Sequence, residues 1–303
     1  MNKAIDPSRH VRAGFLFGVG AYAVWGVMPI YFKALRSVPA LDVVAHRVLW
    51  SLPFLALVIL LTAGQAKMRA ALASPRTLGI LVVTAILIGA NWVLFVYAIT
   101  SGHILAASFG YYLNPLINVL LGRFVLRERL DRTQWAAVTI AAAGISVLAV
   151  GALSHLWISL TLGVTFALYG LLRKMVAADA VTGLAIETAI LLPLALAWLG
   201  GQALAAQPVM GTDALKTALL LLAGVVTAVP LLMFTAAARR LPYSTLGMLQ
   251  FLAPTLQFLL AVLLYGEAFT TAHAIAFAAI WTALALYVVA LVRKARPVLT
   301  PPE

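Results

Sequence analysis

Two ionisable side chains stand inside long apolar stretches: Arg47, beside His46, and Glu187. An ionisable group in hydrocarbon costs about 2.5–3.5 kcal/mol on insertion scales, so each needs a partner or a water-filled cavity. Groups placed in this way suit gating, substrate contact or proton coupling. The plainer alternative is that each is held by carbonyls and hydroxyls of its own half of the chain, or snorkels to its nearer surface. At 1.5 Å per residue, Arg47 sits ~10 Å in from the outer end of its segment and Glu187 ~9 Å from the inner surface. In a hydrocarbon core of ~30 Å this leaves ~10 Å between them along the normal, too far for direct pairing without helix shifts.

A second set of candidates is uncharged. Tyr111, Asn114 and Asn118, at i, i+3 and i+7, share one helix face, and Gln250 and Gln257 share another. These faces are read as lining a substrate cavity; the alternative is interhelical hydrogen bonding, worth ~0.6–2 kcal/mol each. Pro115 and Pro254 lie in the same stretches, where they free backbone carbonyls and act as hinges or kinks. Tyr22, Trp25, Asn91, Trp92, Phe95, Phe166, Tyr169 and Phe234 add aromatic walls with few amides, which suit an amphipathic, partly apolar ligand. Some of these rings equally suit packing or the interfacial aromatic belt.

Enzyme chemistry lacks its parts. There is no HExxH, no lysine in a P-loop GxxxxGK[ST] and no serine in GxSxG. His46, His103, His155 and His273 have no ligand spacing, there is no cysteine, and nothing in the sequence calls for a metal or cofactor.

The elements that must position these residues are membrane helices. Hydrophobic residues make up 64% of the 303, charged residues only 10%, and the mean hydropathy is +1.04. A soluble domain carries roughly 25% charged residues, so this surface is built to face lipid. Ten apolar segments approach the ~20 residues needed to cross a bilayer: 12–32, 40–62, 77–99, 102–124, 132–151, 155–175, 181–201, 215–237, 242–265 and 270–292. Ala21-Tyr22-Ala23 loosely imitates a signal-peptidase site, but the apolar stretch runs on through Phe32, too long for a signal-peptide core. It reads as the first membrane helix.

The net charge of +12 arises from short basic clusters between the apolar runs, the pattern of cytoplasmic loops facing anionic lipid rather than of a nucleic-acid surface. With both termini cytoplasmic, all the lysines and arginines except Lys33, Arg36, Arg47 and Lys216 fall on the inner side. Ten helices satisfy the positive-inside bias.

The chain also repeats itself. Leu113 to Leu130 recurs 139 residues later as Leu252 to Phe269, with Pro115 on Pro254, Glu128 on Glu267, Tyr111 on Gln250 and Asn118 on Gln257. Arg47 falls on Glu187 at an offset of 140 and Trp25 on Tyr169 at an offset of 144. The expectation is an all-α polytopic protein of two five-helix repeats, 12–151 and 155–292. Because five is odd, the copies enter the membrane from opposite sides. Inverted repeats are a mark of secondary transporters that bind substrate near mid-membrane. Glu128 and Glu267 fall at helix ends and read as structural. The Ala-rich fifth and tenth segments read as packing helices, with a homodimer contact as one use of them.

These residues carry a resemblance. YAVWGVMPIYFK (22–33), HRVLWS (46–51), IGANWVLFVYAI (88–99), SFGYYLNPLINVLLG (108–122), LYGLLRK (168–174), IETAILLP (186–193), VVTAVPLLMFTAAARRL (225–241) and STLGMLQFLAPTLQFLLAVLLYGE (244–267) resemble EamA-type permeases of the drug/metabolite transporter superfamily. The likeness is to their RarD subgroup, which is associated with chloramphenicol sensitivity or resistance. It implies a bacterial plasma-membrane protein with helices 1, 3, 4, 6, 8 and 9 around a central cavity. It also implies export of a small amphipathic metabolite or drug by alternating access, without ATP. Small multidrug members of the superfamily carry a proton-coupling glutamate in their first helix, and this chain has no acid there. Uptake by the same fold, a membrane-embedded lipid-modifying enzyme and a non-transporting helical scaffold are the alternatives.

Overall fold

The computed structural model describes residues 7–101, 103–149, 155–205, 209–211, 213–266 and 270–295, which are helical with short connections. In chain order the helices are α1 (Pro7–Ala34), α2 (Ala40–Leu61), α3 (Gln65–Leu72), α4 (Pro75–Thr100), α5 (Ile104–Phe124) and α6 (Arg132–Ala149). They continue as α7 (Leu156–Met175), α8 (Ala180–Leu204), α9 (Ala214–Ala238), α10 (Tyr243–Gln250), α11 (Leu252–Leu263) and α12 (Thr271–Ala295). Every expected apolar segment is helical over most of its length. Among the described residues eight spans are long and apolar enough to cross a membrane, α10 and α11 together forming one of them. Of the other two long helices, α6 is 18 residues long and opens on the polar Arg132, Thr133 and Gln134, and α5 carries Asn114 and Asn118 within its apolar run.

Two elements differ from the sequence expectation. The loop after α2 contains the short α3, preceded by a tight helix end. There Gly64 N–H donates to Ile59 O at 2.8 Å and Ala63 N–H to Leu60 O at 3.3 Å, with Ala63 at a φ of 50°. This is a Schellman cap with alanine at the left-handed position. The ninth segment is broken at Phe251, whose N–H bonds to Met248 O at 3.3 Å rather than one residue further back. Pro254 has no N–H to return to Gln250 O, so the ladder opens one residue before α11 begins. Pro115, its repeat equivalent, sits within an uninterrupted α5.

Helix starts are set by polar caps. Asp179 Oδ1 accepts from Thr182 N–H, and Asp213 Oδ1 from Lys216 N–H, each at 2.8 Å. Asp131 and Gln134 form a reciprocal capping box at 2.9 and 3.0 Å. Glu128 reaches out of its own segment to cap α10, accepting from Tyr243 N–H and from the N–H and hydroxyl of Ser244. Its repeat equivalent, Glu267, lies outside the described residues.

Packing turns the usual polarity inside out. Leu60, Leu61, Ile86, Leu194, Leu215 and Leu263 are exposed, while Asn91, Asn114, Asn118, Arg173 and Glu187 are buried. Water would select the reverse; lipid selects this. The main helix pairs are α6 with α12, α5 with α7, α2 with α8, α1 with α9, α2 with α9, α5 with α10, α4 with α7 and α1 with α11. The Ala-rich faces of α6 and α12 meet each other within the chain, at Gly144 against Ala276 and Ala279.

Candidate functional site

Three groupings emerge from the candidate residues. The first surrounds Glu187, which is 1% exposed. Thr84 of α4 donates to its Oε1 at 2.6 Å and Tyr169 of α7 to its Oε2 at 3.3 Å, while Arg173 Nε of α7 lies 3.4 Å from Oε1. Arg173 is fully buried and also donates to the carbonyls of Asp179 and Ala180. It fits because residue 183 is glycine: a methyl group there would overlap the guanidinium. So Glu187 is held by a cation of its own half and a hydroxyl of the other half.

The second grouping surrounds Arg47. Its Nε donates to Thr227 Oγ1 of α9 at 2.8 Å, and its guanidinium carbon lies 4.7 Å from the Trp92 ring centre and 5.8 Å from that of Phe32. One turn along α2, Ser51 Oγ donates to Gly224 O of α9. The helices touch backbone to backbone there, since a side chain at Gly224 would overlap Trp50. The Arg47 hydrogen bond therefore crosses to the other half while its ring contacts stay in its own, and among the described residues it has no pairing with Glu187. Tyr111 packs edge-on against Phe95 at 5.7 Å. Tyr22, Trp25, Phe166, Tyr169 and Phe234 form one aromatic cluster, with neighbouring ring centres 5.4 to 6.5 Å apart.

The third grouping is an amide seam. Asn91 Nδ2 donates to Leu162 O and Thr165 Oγ1, both at 2.9 Å, and Asn114 Nδ2 to Gly163 O at 2.8 Å. Asn118 Nδ2 donates to Gln250 Oε1 at 2.9 Å, joining α5 to α10. Gln257, by contrast, is exposed and donates to Trp25 O at 3.0 Å. The amides expected on a shared cavity wall thus divide between a buried interhelical seam and a contact at the surface.

Besides Arg173, the geometry brings forward residues to which sequence reasoning gave no site role. Thr84 and Thr227 are small polar residues in apolar helices, and their spacing of 143 residues, close to the repeat offset, was the available signal. Asp42 and His46 line a cavity of about 160 Å³ with Leu199, Gln202, Val209 and Met210. Asp42 Oδ1 accepts from Trp198 Nε1 at 2.6 Å, but Asp42 Oδ2 and His46 Nδ1 are buried without a hydrogen-bond partner. Among the described residues no group of three or more His, Cys, Asp or Glu could hold a metal ion.

Comparison with known proteins identifies the scaffold. The profile of the EamA-like transporter family matches residues 12–150. An uncharacterized transporter of Vibrio cholerae is 47% identical, with 91% of this chain and 92% of that one covered. Protein RarD of Escherichia coli K12 is 43% identical over 93% of this chain and 95% of its own. The chloramphenicol-sensitive protein RarD of Pseudomonas aeruginosa is 35% identical over 90% and 92%. A crystal structure only 19% identical superposes with a TM-score of 0.71, covering 92% of this chain and 98% of the other, and so shares the fold. With helices this apolar and relatives this similar along nearly their full length, the chain is a multi-pass membrane protein that belongs to the EamA-like transporter family, in its RarD group.

Proposed function

We propose that this protein is a secondary transporter of ten membrane spans, built as two inverted repeats (12–151 and 155–292), that exports a small amphipathic metabolite or drug by alternating access. The observation that carries this reading is a matched pair of tethers. Arg47 of the second span bonds Thr227 of the eighth, and Glu187 of the seventh bonds Thr84 of the third. Exchanging the repeats turns one contact into the other. The packing follows the same exchange: α1 with α9 answers α7 with α4, and α5 with α7 answers α11 with α1. An amide bridges each of the latter pairs, Asn114 to the sixth span and Gln257 to the first, though from different positions of the repeat. Two halves related in this way can rock against one another around a site between them.

The binding site is assigned to Tyr22, Trp25, Asn91, Trp92, Tyr111, Asn114, Asn118, Tyr169, Gln250 and Gln257. Arg47 and Glu187 act as the gating or coupling charges, and Pro115 and Pro254 as hinges. In the described conformation Tyr22, Tyr169 and Phe234 are fully buried, so the central aromatic cluster is closed. The protein lies in the bacterial inner membrane with both termini cytoplasmic, in keeping with its basic clusters.

The chain contains no cysteine, which makes single-cysteine labelling free of background. A cysteine at Gly211 should react with an impermeant maleimide from outside intact cells, and one at Ala66 only from inside. Cysteines replacing Leu121 and Phe32 should change reactivity in opposite directions when substrate is added to proteoliposomes. Parallel changes, or none, would count against alternating access, and accumulation in right-side-out vesicles rather than inverted ones would count against export.

A further inference from the structure

We propose that Arg47 anchors a carboxylate on the transported molecule, so that the substrate is an amphipathic organic anion rather than a neutral or cationic compound. This rests on the transport reading above and gives that site a substrate class.

The two in-membrane charges at equivalent positions of the repeats are treated very differently. Glu187 meets a cation, Arg173, and two hydroxyls. Arg47 meets no carboxylate among the described residues; only its Nε is committed, to the Thr227 hydroxyl. Its two terminal amino groups make no hydrogen bond among the described residues, yet neither is sealed off as a buried unpartnered atom. They keep access to open space although the residue lies two turns inside α2.

Around that space the walls are aromatic. Trp92 and Phe32 face the guanidinium, and the Tyr31 and Tyr111 phenols are within electrostatic reach of it. Tyr31 is already spent on Leu219 O, at 2.9 Å. With Nε committed to Thr227 and the rings 4.7 and 5.8 Å from the guanidinium carbon, the two terminal amino groups are left as the donor surface, and they have the fork geometry that matches a carboxylate. A permanently charged group in an apolar setting with its fork unfilled selects an anion, and the rings beside it select an apolar body.

The test uses matched pairs that differ only in the acid group. 3-Phenylpropionate and indole-3-propionate would be compared with their amides, and with acetate, by calorimetry on the purified full-length protein. Each acid should bind about tenfold or more tightly than its amide, as expected for charge-assisted hydrogen bonds to a carboxylate. Acetate, which lacks the apolar body, should bind weakly. Arg47→Gln should abolish the acid preference while leaving amide binding in place, and Arg47→Lys should keep only part of it. Equal binding of acid and amide by the wild type, a preference that survives in Arg47→Gln, or no binding of either acid would overturn the proposal. The wild-type comparison stands even if the variants fail to fold. Flux of the amides into proteoliposomes with no acid preference would sink the anchor alone. A binding preference without flux of any probe would sink the transport reading alone.

Discussion

Replacing one member of the Glu187–Arg173 pair should cost far more than replacing both. Glu187→Gln keeps an acceptor for Thr84 but turns a donor toward Tyr169 and leaves the Arg173 guanidinium without its counter-charge. Removing one partner of a buried ion pair costs about 3–5 kcal/mol. The geometry argues for the lower end, because Arg173 retains the Asp179 and Ala180 carbonyls. The pair is also imperfect to begin with: Arg173 Nε and Nη1 are buried without a well-formed hydrogen bond. About 3 kcal/mol is therefore expected for Glu187→Gln. Arg173→Met should cost about 2 kcal/mol, since the stranded carboxylate keeps Thr84 and Tyr169 and can take up a proton, which a guanidinium in the converse case cannot lose. The double variant should fall within about 1 kcal/mol of wild type, giving a coupling near 4 kcal/mol. Reversible unfolding in mixed micelles, read by tryptophan fluorescence, measures all four proteins. Costs that add to within about 0.5 kcal/mol would mean that the two residues do not interact and that the reasoning is wrong.

Ala63→Gly should stabilise the protein by about 1 kcal/mol in the same assay, because alanine at a φ of 50° pays a left-handed penalty that glycine escapes; a loss of stability would contradict the cap geometry. Asp42→Asn should be neutral or stabilising by about 1 kcal/mol, since an amide retains the Trp198 bond and removes a buried charge that faces no cation within ion-pair distance among the described residues. A clear loss would mean that Asp42 Oδ2 holds a cation or proton in its cavity. Burial pushes the Asp179 carboxyl up, but the hydrogen bonds from Thr182 and the Lys67 ammonium outweigh it and hold it below its ordinary value. A carboxylate with a lowered folded-state value contributes stability above its unfolded value, near 3.9, that disappears as pH falls through the folded value. Melting temperature against pH should accordingly be flat with respect to this group down to about pH 4 and decline below it, and Asp179→Asn should remove that step; an unchanged decline would locate it elsewhere. Thr84→Ala should shift single-cysteine labelling of the inner half about fivefold toward the open form, the equivalent of one lost hydrogen bond near 1 kcal/mol.

The helices were legible because lipid imposes length and apolarity at once, a signal that needs no knowledge of tertiary contacts. The break at Phe251 was less so: Pro115 and Pro254 look alike in sequence, yet only the second interrupts its helix. At Pro115 the chain packs directly on Gly247 of α10, which a side chain at that glycine would prevent. The proline's effect depends on what braces it. The site was half legible. Arg47 and Glu187 stood out because charge is rare in these stretches, but their partners did not. Arg173 was indistinguishable from the basic residues that mark the cytoplasmic side, and only the space left by Gly183 brings it inward. The amides left two readings open for a related reason. A polar residue on a membrane helix signals an interior face, and an interior face serves a seam as readily as a cavity.

The partners also bear on how a rocking motion could be cheap. Separating α4 from α8 breaks the Thr84–Glu187 bond, but Arg173 and Tyr169 sit on α7. Glu187 therefore keeps its counter-charge if α7 and α8 move together, and the Arg173 bonds to the Asp179 and Ala180 carbonyls tie those helices at their junction. Losing the Thr84–Glu187 bond itself then costs about one hydrogen bond, near 1 kcal/mol, beside any α4–α7 contact that parts, instead of the several kcal/mol that a naked buried charge would demand. On the other side, parting α2 from α9 breaks the bonds of Arg47 to Thr227 and of Ser51 to Gly224, about 2 kcal/mol together. Trp92 is on α4 and Phe32 on α1, so neither ring is carried by α9 itself. Both costs are of the size that separates two conformations able to exchange populations when a ligand favours one of them. The opposite charges then have a physical reading under the proposed transport cycle: Glu187 keeps its counter-charge on α7 and suits a gate, while Arg47, with no carboxylate partner among the described residues, suits an anionic ligand.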